Sequence, residues 1–327
     1  MVISRTPLRV SFVGGGTDLP GFADVHGGAV VSTAIDKYVH VIVTERFEPS
    51  VRVSYSKTEI VDNLDELEHE LVREAMRVAG VRRKVEVVTI ADVPSHGTGL
   101  GSSSAVTVGA LNALFAHQGI LKSAAELAED ACRIELDVLG KPIGRQDQYA
   151  SAYGGLQLLR FSAAGAVEAT PVVLPDADRR ELERSLLMFW TGGERAAGGI
   201  LNSVSAGLED GAKIAALTRM RELALELYEQ LGSGGGAAAV GERLHENWEL
   251  KRTLGEGIST PEIEAWHAQA LAAGATGGKL LGAGGAGFLL FFVPRERQAD
   301  VRAALAALRE LPFRFEPRGS RIVLVDR

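Results

Sequence analysis

A run of alternating glycines followed by three serines is the part of the chain whose residue types most clearly suggest chemistry. Glycine lets the backbone adopt a positive φ and approach a ligand closely. An apolar run of strand length, residues 85–90, precedes the stretch, and apolar residues at helical spacing follow it. Because the first N–H groups of a helix are unpaired and lie at the positive end of its dipole, the stretch predicts a phosphate site. Its residues are Pro94, Gly97, Thr98, Gly99, Leu100, Gly101, Ser102, Ser103 and Ser104.

Other glycine-rich loops fit these residues less well. A Walker loop ends in Gly-Lys-Ser or Gly-Lys-Thr, and this stretch contains no lysine. A dinucleotide-binding loop requires a third glycine where Ser102 stands and an acidic residue at the end of the next strand. An esterase nucleophile turn requires glycines on both sides of one serine. The alternatives that remain are a phosphate loop of another kind and a serine-capped turn that binds nothing.

A second glycine loop follows the strand predicted at residues 8–13, where apolar and polar residues alternate. In this loop Gly15 and Gly16 precede Thr17 and Asp18. The loop therefore presents one hydroxyl and one carboxylate beside flexible backbone. A strand-ending turn capped by Asp18 is an equal alternative on these residues alone.

Two acidic residues further along the chain are candidates for metal binding and proton transfer. Glu135 falls within the apolar stripe of a helix predicted at about residues 123–139. A carboxylate on an apolar face must be paired, protonated or bound to a cation, unless it lies at the edge of the stripe and reaches solvent. Asp147 opens the next short helix beside Arg145, where an acid is also favourable to the helix dipole.

Three segments together resemble the motifs of the GHMP kinases, a family that includes galactokinase, homoserine kinase, mevalonate kinase and phosphomevalonate kinase. Residues 94–105 read Pro-x-x-Gly-x-Gly-Leu-Gly-Ser-Ser-x-Ala, similar to the second motif. Residues 9–18 resemble the first motif, with Gly15 and Gly16 where galactokinases carry Glu-His. Residues 279–287 resemble the third, which is expected to pack against the phosphate loop. A dinucleotide fold is excluded there because a strand, residues 288–293, follows where a helix is required.

This resemblance implies a fold, a reaction and roles for individual residues. The fold is α+β, with an N-terminal domain similar to ribosomal protein S5 domain 2 and a ferredoxin-like C-terminal domain. The reaction is ATP- and Mg²⁺-dependent phosphoryl transfer to a sugar hydroxyl. Asp147 is the expected catalytic base, Arg9 steadies it or the phosphoryl group, and Ser103 and Glu135 hold Mg²⁺. The expected substrate-binding residues are Gly15, Gly16, Thr17, Asp18, Arg145, Arg195, Gly284 and Gly285.

The Gly-Gly-Gly-Thr-Asp-Leu-Pro form of the first motif is similar to the D-glycero-D-manno-heptose 7-phosphate kinases of this family and less closely to fucokinases. Phosphorylation of that heptose phosphate at its anomeric hydroxyl is the favoured hypothesis. Another sugar 1-kinase is the second. A catalytically silent sugar sensor is disfavoured because Asp147, Glu135 and Ser103 are all present.

Length and composition set broader expectations. A chain of 327 residues suggests two domains, predicted at residues 1–172 and 173–327. The net charge of −7 gives no reason to expect nucleic acid or anionic membrane as a partner. The absence of a membrane-length apolar run and of a signal-peptide pattern predicts a cytoplasmic protein, and a homodimer is possible. The single cysteine, Cys132, is expected in the core.

Helices and strands are also predicted in the second half of the chain from apolar spacing. Helices are expected at residues 217–231, 237–254, 261–273 and 295–310. A turn at residues 317–320 is expected to join strands 313–315 and 321–325.

Overall fold

The computed structural model describes residues 1–94, 97–193, 210–234 and 237–326. Two sheets organise this part of the chain. The first contains β1 (Val2–Val13), β2 (Gly28–Glu45), β3 (Val51–Ser54), β4 (Thr58–Val61), β5 (Val85–Ala91), β6 (Leu156–Phe161) and β7 (Val167–Pro171). The second contains β8 (Leu186–Trp190), β9 (Gly277–Leu280), β10 (Phe288–Phe292) and β11 (Arg309–Glu310). The last strand, β12 (Arg321–Val325), returns to the first sheet.

The helices are distributed over both parts of the chain. They are α1 (Pro20–His26), α2 (Glu70–Ala79), α3 (Ser102–His117), α4 (Ala124–Cys132), α5 (Gln146–Tyr153), α6 (Asp176–Arg184), α7 (Gly211–Gly232), α8 (Ala238–Lys251), α9 (Pro261–Ala272) and α10 (Gln298–Ala304). A π-helical turn, Arg133–Val138, continues α4, and two short 3₁₀ turns lie at Leu64–Glu66 and Arg295–Arg297. In the described residues, no helix is both long enough and apolar enough to cross a membrane.

The long strand β2 divides the first sheet into two halves. Its first residues pair with β6, and its later residues, from Val39 onwards, pair with β5. Strand β1 runs antiparallel beside β2 over almost the whole of its own length. Because β1 ends where β2 begins, the first glycine loop lies at the end of the sheet next to β6.

Helix α3 packs against β1 and β2 with nearly every side chain buried. Small residues allow this close approach: a Cβ at Gly109 would lie 2.8 Å from Oγ1 of Thr6. Ser4 donates from Oγ to the Gly109 carbonyl at 2.8 Å, which satisfies a hydroxyl buried between strand and helix. The prediction that a helix begins at the serines is confirmed, and its first turn is anchored to the centre of the sheet.

The second sheet has the order β11-β8-β10-β9, and every residue of β10 is buried. A continuous apolar strand of this kind must be covered on both faces. Helix α9 begins where predicted, because Thr260 accepts a hydrogen bond from the Ile263 N–H and Pro261 occupies the first helical position. The main apolar core runs from the first sheet to Phe288 of β10, so the two sheets are joined by packed side chains.

Two predictions for the C-terminal segment are wrong. The helix expected at residues 295–310 is broken: α10 ends at Ala304, and residues 309–310 pair with the open edge of β8 as β11. The expected hairpin does not form either, because Phe315 bridges to Ile35 and β12 pairs with β1. In both cases an unpaired strand edge elsewhere in the fold offers hydrogen-bond partners that local apolar spacing does not reveal.

The helix expected at residues 123–139 is found in two parts. Ser123 and Glu126 form a reciprocal capping box at the start of α4. The backbone then changes to the π-helical turn at Arg133. Turns of this kind inside helices occur frequently at functional sites, and this one carries Glu135.

Candidate active site

A forked ion pair between Arg9 and Asp147 lies at the centre of the candidate site. Arg9 projects from β1 and Asp147 from the first turn of α5. The guanidinium donates from Nε to Oδ1 at 2.7 Å and from Nη2 to Oδ2 at 2.8 Å. Arg9 is buried, whereas the Asp147 side chain keeps 24% of its surface exposed. This two-point geometry fixes the orientation of the carboxylate and leaves it open to a ligand.

The predicted phosphate loop lies directly against this pair. Nη1 of Arg9 donates to the Gly99 carbonyl at 2.5 Å, and the Arg9 N–H donates to the Leu100 carbonyl at 3.0 Å. Gly97, Gly99 and Gly101 all have positive φ, between 68° and 75°. Only glycine adopts this conformation without strain. The loop therefore turns sharply toward the start of α3 and brings its backbone beside Asp147.

Gly101 shows how closely the loop and the ion pair approach each other. A Cβ at this position would lie 3.2 Å from Oδ2 of Asp147 and 3.2 Å from Cγ of Arg9. Thr98 and Leu100 of the same loop are buried, whereas Pro94 is exposed. The structure thus brings together the expected catalytic pair and the expected phosphate-binding backbone.

The third glycine segment packs on the phosphate loop, as the resemblance predicted. A Cβ at Gly282 would lie 2.4 Å from the Gly99 Cα, and one at Gly287 would lie 2.7 Å from the Thr98 carbonyl oxygen. Gly284 and Gly285, which were expected to bind substrate, contact the backbone of Ile258. The Gly285 N–H donates to the Ile258 carbonyl at 2.9 Å.

Glu135 is completely buried, so the alternative that it reaches solvent at the edge of its stripe is wrong. Burial raises the pKa of Glu135 to about 7, although the hydroxyls of Thr107 and Ser104 oppose the shift. Ser104 donates from Oγ to Oε2 of Glu135 at 3.1 Å. Its neighbour Ser103, the expected metal ligand, is exposed at the start of α3.

One oxygen of Glu135 supports the expected metal site. Oε1 is buried and has no hydrogen-bond partner among the described residues. A hard cation such as Mg²⁺ prefers oxygen ligands and would satisfy such an atom. Among all the residues that the structure describes, no group of three or more His, Cys, Asp or Glu side chains is placed to hold a metal. Glu135 and the serine hydroxyls therefore fit Mg²⁺ that takes its other oxygen ligands from phosphate or water.

The first glycine loop is tied to the start of α5 through Asp18. Oδ1 of Asp18 accepts from the Gly16 N–H at 2.9 Å and from Nε2 of Gln146 at 3.0 Å, and Oδ2 accepts from the Gln146 N–H at 3.2 Å. Burial, together with nearby Asp147, raises the pKa of Asp18. Asp18 thus holds the loop against the helix that carries Asp147.

Other residues expected to bind substrate have partners inside the protein. Thr17 is buried; its hydroxyl donates to the Ala29 carbonyl at 3.0 Å and accepts from the Ala29 N–H at 3.1 Å. Arg145 pairs with Asp24 at 3.4 Å and donates to the Gly165 carbonyl at 3.2 Å. Gly15 faces Oγ of Ser11, 3.2 Å from its Cβ position. Arg195 lies outside the described residues.

Three polar residues of the second half of the chain contact the glycine segments or strand β1 beside them, and the sequence analysis missed all three. Oδ1 of Asn247 accepts from the Gly14 N–H at 2.9 Å. Lys279 is buried and donates from Nζ to the carbonyls of Ser11 at 2.9 Å and Phe12 at 3.1 Å. Lys251 donates to the Gly282 carbonyl. Burial lowers the pKa of Lys251 to about 8. The available signal was a polar residue within an apolar stretch, as for Lys279 beside Leu280 and Leu281.

Comparison with known proteins identifies the family to which the chain belongs. Models of the GHMP kinase N-terminal and C-terminal domains match residues 54–155 and 220–312, so the chain belongs to the GHMP kinase family. The predicted fold is confirmed. Members of this family use ATP as the phosphate donor.

Individual relatives narrow the class further. The D-glycero-alpha-D-manno-heptose 7-phosphate kinase of Campylobacter jejuni is 28% identical over 317 residues, which cover 92% of each chain. A solved D-glycero-D-manno-heptose 1-phosphate kinase from Bacteroides thetaiotaomicron is 25% identical, with a TM-score of 0.81 over the whole of both chains. The L-fucokinase/L-fucose-1-P guanylyltransferase of Bacteroides fragilis is 28% identical over 92% of this chain but only 35% of its own length. The protein is a sugar kinase of the GHMP family, close to the heptose phosphate kinases.

Proposed function

We propose that the protein transfers the γ-phosphoryl group of ATP to the anomeric hydroxyl of D-glycero-D-manno-heptose 7-phosphate, giving the 1,7-bisphosphate. The observation that carries the proposal is the Arg9–Asp147 fork, which lies between the phosphate loop and the first glycine loop. The full-length similarity to the Campylobacter jejuni enzyme supports the choice of sugar.

In the proposed reaction, Asp147 accepts the proton of the attacking hydroxyl or orients that hydroxyl. Arg9 holds the carboxylate correctly directed. The new bond joins the sugar oxygen to the γ-phosphorus, the bond from that phosphorus to the bridging oxygen breaks, and ADP leaves. Backbone N–H groups of residues 97–103, at the start of α3, bind the phosphates. Positioning and charge neutralisation are what phosphoryl transfer chiefly requires.

We also propose that Ser103 and Glu135 hold Mg²⁺. Bound by these residues, Mg²⁺ would supply neutralisation of phosphate charge. Glu135 contributes a buried carboxylate whose Oε1 has no partner in the described chain, and Ser104 orients that carboxylate through Oε2. Ser103, exposed one residue away, is free to face a nucleotide. The carboxylate is most useful when ionised, and a bound cation would lower its raised pKa.

The phosphate already present on the acceptor needs a cationic partner, for which we propose Arg195 or Arg145. Arginine binds phosphate through two parallel hydrogen bonds. Arg145 is engaged with Asp24 and the Gly165 carbonyl, so it would have to exchange these partners to bind the ligand.

A sugar panel tests the proposal directly. ADP release is measured with heptose 7-phosphate, heptose 1-phosphate, unphosphorylated heptose, fucose and galactose, and phosphorus NMR identifies the phosphorylated position. A charge-assisted contact contributes about 1.5–3 kcal/mol, or roughly 10- to 150-fold in affinity. We therefore expect heptose 7-phosphate to exceed the plain sugars by at least about tenfold in kcat/KM. Equal or better turnover of an unphosphorylated sugar would contradict the heptose phosphate assignment.

The similarity to the L-fucokinase/L-fucose-1-P guanylyltransferase of Bacteroides fragilis favours one second candidate, a fucokinase-like sugar 1-kinase. Fucose turnover above that of heptose 7-phosphate would select it. Binding of sugar and ATP without any ADP release would instead favour a sensor on the same fold.

A further inference from the structure

The ammonium group of Lys251 lies where the third glycine segment packs on the phosphate loop. Lys251 is the last residue of α8, and its Nζ donates to the carbonyl of Gly282. Gly282 packs directly on Gly99 of the phosphate loop. The carbonyl of Gly99 in turn accepts from Arg9, which holds Asp147. Lys251 therefore lies at the same junction of loops as the catalytic pair, close enough for its charge to interact with Arg9 and Asp147.

The charges around Lys251 belong to the same site. Arg9 on β1 and Lys279 on β9 repel the ammonium, whereas Asp18 in the first glycine loop and Asp147 on α5 attract it. Lys251 is buried, and within the described ranges it forms no ion pair with either carboxylate. A buried ammonium carries three donors, and the Gly282 carbonyl occupies one of them. The remaining donors suit an anionic ligand at the site.

We infer that Lys251 is a further catalytic residue, whose ammonium contacts oxygens of the phosphoryl group as that group passes from ATP to the hydroxyl at Asp147. This inference rests on the proposed function. Charge developing on the transferred group is stabilised most strongly by a preorganised cation in a buried site. Lys251 is a buried cation, and helix α8 holds it in place. Trp248 of this helix packs in the apolar core around the second sheet, and Asn247 accepts a hydrogen bond from Gly14 of the first glycine loop.

Lys279 provides a matched comparison within the same chain. Like Lys251 it is buried, but it lies on β9, and its ammonium donates to two β1 carbonyls, those of Ser11 and Phe12. These bonds attach β9 to β1. The role of Lys279 is therefore structural, whereas Lys251 has a single described partner.

The test compares Lys251→Met, Lys251→Arg and Lys279→Met with the wild-type enzyme. Methionine keeps the aliphatic stem and removes the charge. Loss of a preorganised transition-state donor lowers kcat roughly 10²- to 10³-fold, so Lys251→Met should do so with KM values for ATP and sugar within about threefold of wild type. Lys279→Met should lower the melting temperature and leave kcat of the folded fraction within about threefold of wild type.

A pH profile separates catalysis from structural support. Because the pKa of Lys251 is lowered to about 8, kcat/KM of the wild-type enzyme should fall above about pH 8 as the ammonium loses its charge. Arginine stays charged in this range, so Lys251→Arg should regain part of the activity lost in Lys251→Met and lose this alkaline limb.

The outcomes distinguish this inference from the proposed function. If wild-type protein phosphorylates no sugar, the proposed function fails first. If wild type is active and Lys251→Met retains kcat, or changes only KM or the melting temperature, the role of Lys251 is wrong and the sugar-kinase assignment stands. A large kcat loss with recovery in Lys251→Arg supports the inference.

Discussion

Two carboxylates twelve positions apart, Asp147 and Glu135, are held by the protein in opposite ways. Asp147 has a permanent cation supplied by the chain, since Arg9 binds both its oxygens and still leaves part of the side chain exposed. Glu135 is fully buried, has only hydroxyl partners, and keeps one oxygen without a described partner. The chain itself supplies partners to both oxygens of Asp147, whereas Oε1 of Glu135 would gain a partner from a ligand.

In the proposed reaction, the two carboxylates have different tasks. A carboxylate that must act on the acceptor hydroxyl has to be correctly aimed before substrate arrives, which a two-point contact with a fixed guanidinium ensures. A carboxylate that binds a metal ion gains from the opposite arrangement. Its buried charge is unfavourable when no cation is present, so cation binding is coupled to relief of that cost.

The largest effect is expected from removing the charge at Asp147. Asp147→Asn keeps the shape of the side chain but cannot accept the proton, and general-base contributions are typically about 10²- to 10⁴-fold. We therefore expect kcat to fall by about that factor while nucleotide affinity stays nearly unchanged. Steady-state kinetics with calorimetric titration of ATP measures both quantities. Near wild-type kcat would show that Asp147 is only a structural partner of Arg9.

A smaller loss of kcat is expected when Arg9, the cation paired with Asp147, is replaced by lysine. Arg9→Lys retains the charge but cannot form the fork with both oxygens of Asp147. Hydrogen bonds to charged groups contribute about 1.5–3 kcal/mol, so kcat should fall roughly 10- to 150-fold. If Arg9→Lys were as active as wild type, a point charge would be enough and the fork would have no catalytic role.

Neutralising Glu135 should produce opposite effects on stability and activity. The pKa of Glu135 is raised from 4.5 to about 7, so the stability that its protonated form contributes below about pH 4.5 is lost as pH rises through about 7. The shift corresponds to about 3 kcal/mol at roughly 1.4 kcal/mol per unit. At about pH 8 without Mg²⁺, Glu135→Gln should therefore melt at a higher temperature than wild type.

Addition of Mg²⁺ and ATP should reverse that order, because only wild type gains the cation at its carboxylate. Differential scanning fluorimetry at about pH 5 and about pH 8 follows both effects, and the two proteins should be more alike at the lower pH. In activity assays the Mg²⁺ optimum of Glu135→Gln should rise. Unchanged Mg²⁺ dependence together with wild-type activity would remove Glu135 from the metal site.

The smallest effects should separate the two serines beside Glu135. Ser103→Ala removes a proposed metal ligand and should raise the Mg²⁺ concentration needed for half-maximal activity. Ser104→Ala removes the hydrogen bond to Oε2 and should mainly raise the pKa of Glu135 further, moving the acidic limb of activity to higher pH. Contributions near 1 kcal/mol, or about fivefold, are expected for each. A Mg²⁺ effect confined to Ser104→Ala would reassign the ligand.

Local sequence was sufficient to predict much of the site. The alternating glycines predicted a sharp loop before α3, and Gly97, Gly99 and Gly101 have the positive φ that glycine adopts without strain. The apolar stripe around Glu135 predicted its burial correctly. These features depend on neighbours within one or two turns of the same element, which is the range over which residue spacing carries information.

Features that depend on distant contacts could not be predicted in this way. The pairing of β12 with β1 and of β11 with β8 replaced a predicted hairpin and the end of a predicted helix. The pattern of apolar residues in these segments is compatible with either outcome. Available strand edges decided between them, and those edges exist only after the sheets have formed.

By itself, the sequence determined the residue types of the chemistry: glycine backbone for phosphate, Glu135 on an apolar face, and Asp147 at the start of a short helix. Only the tertiary structure decided which charges meet. Arg9 and Asp147 are 138 positions apart, and Lys251, whose charge interacts with both, lies on a helix of the second half of the chain. No periodicity relates such positions, because their contact arises from the packing of β1, α5 and α8 around the two glycine segments.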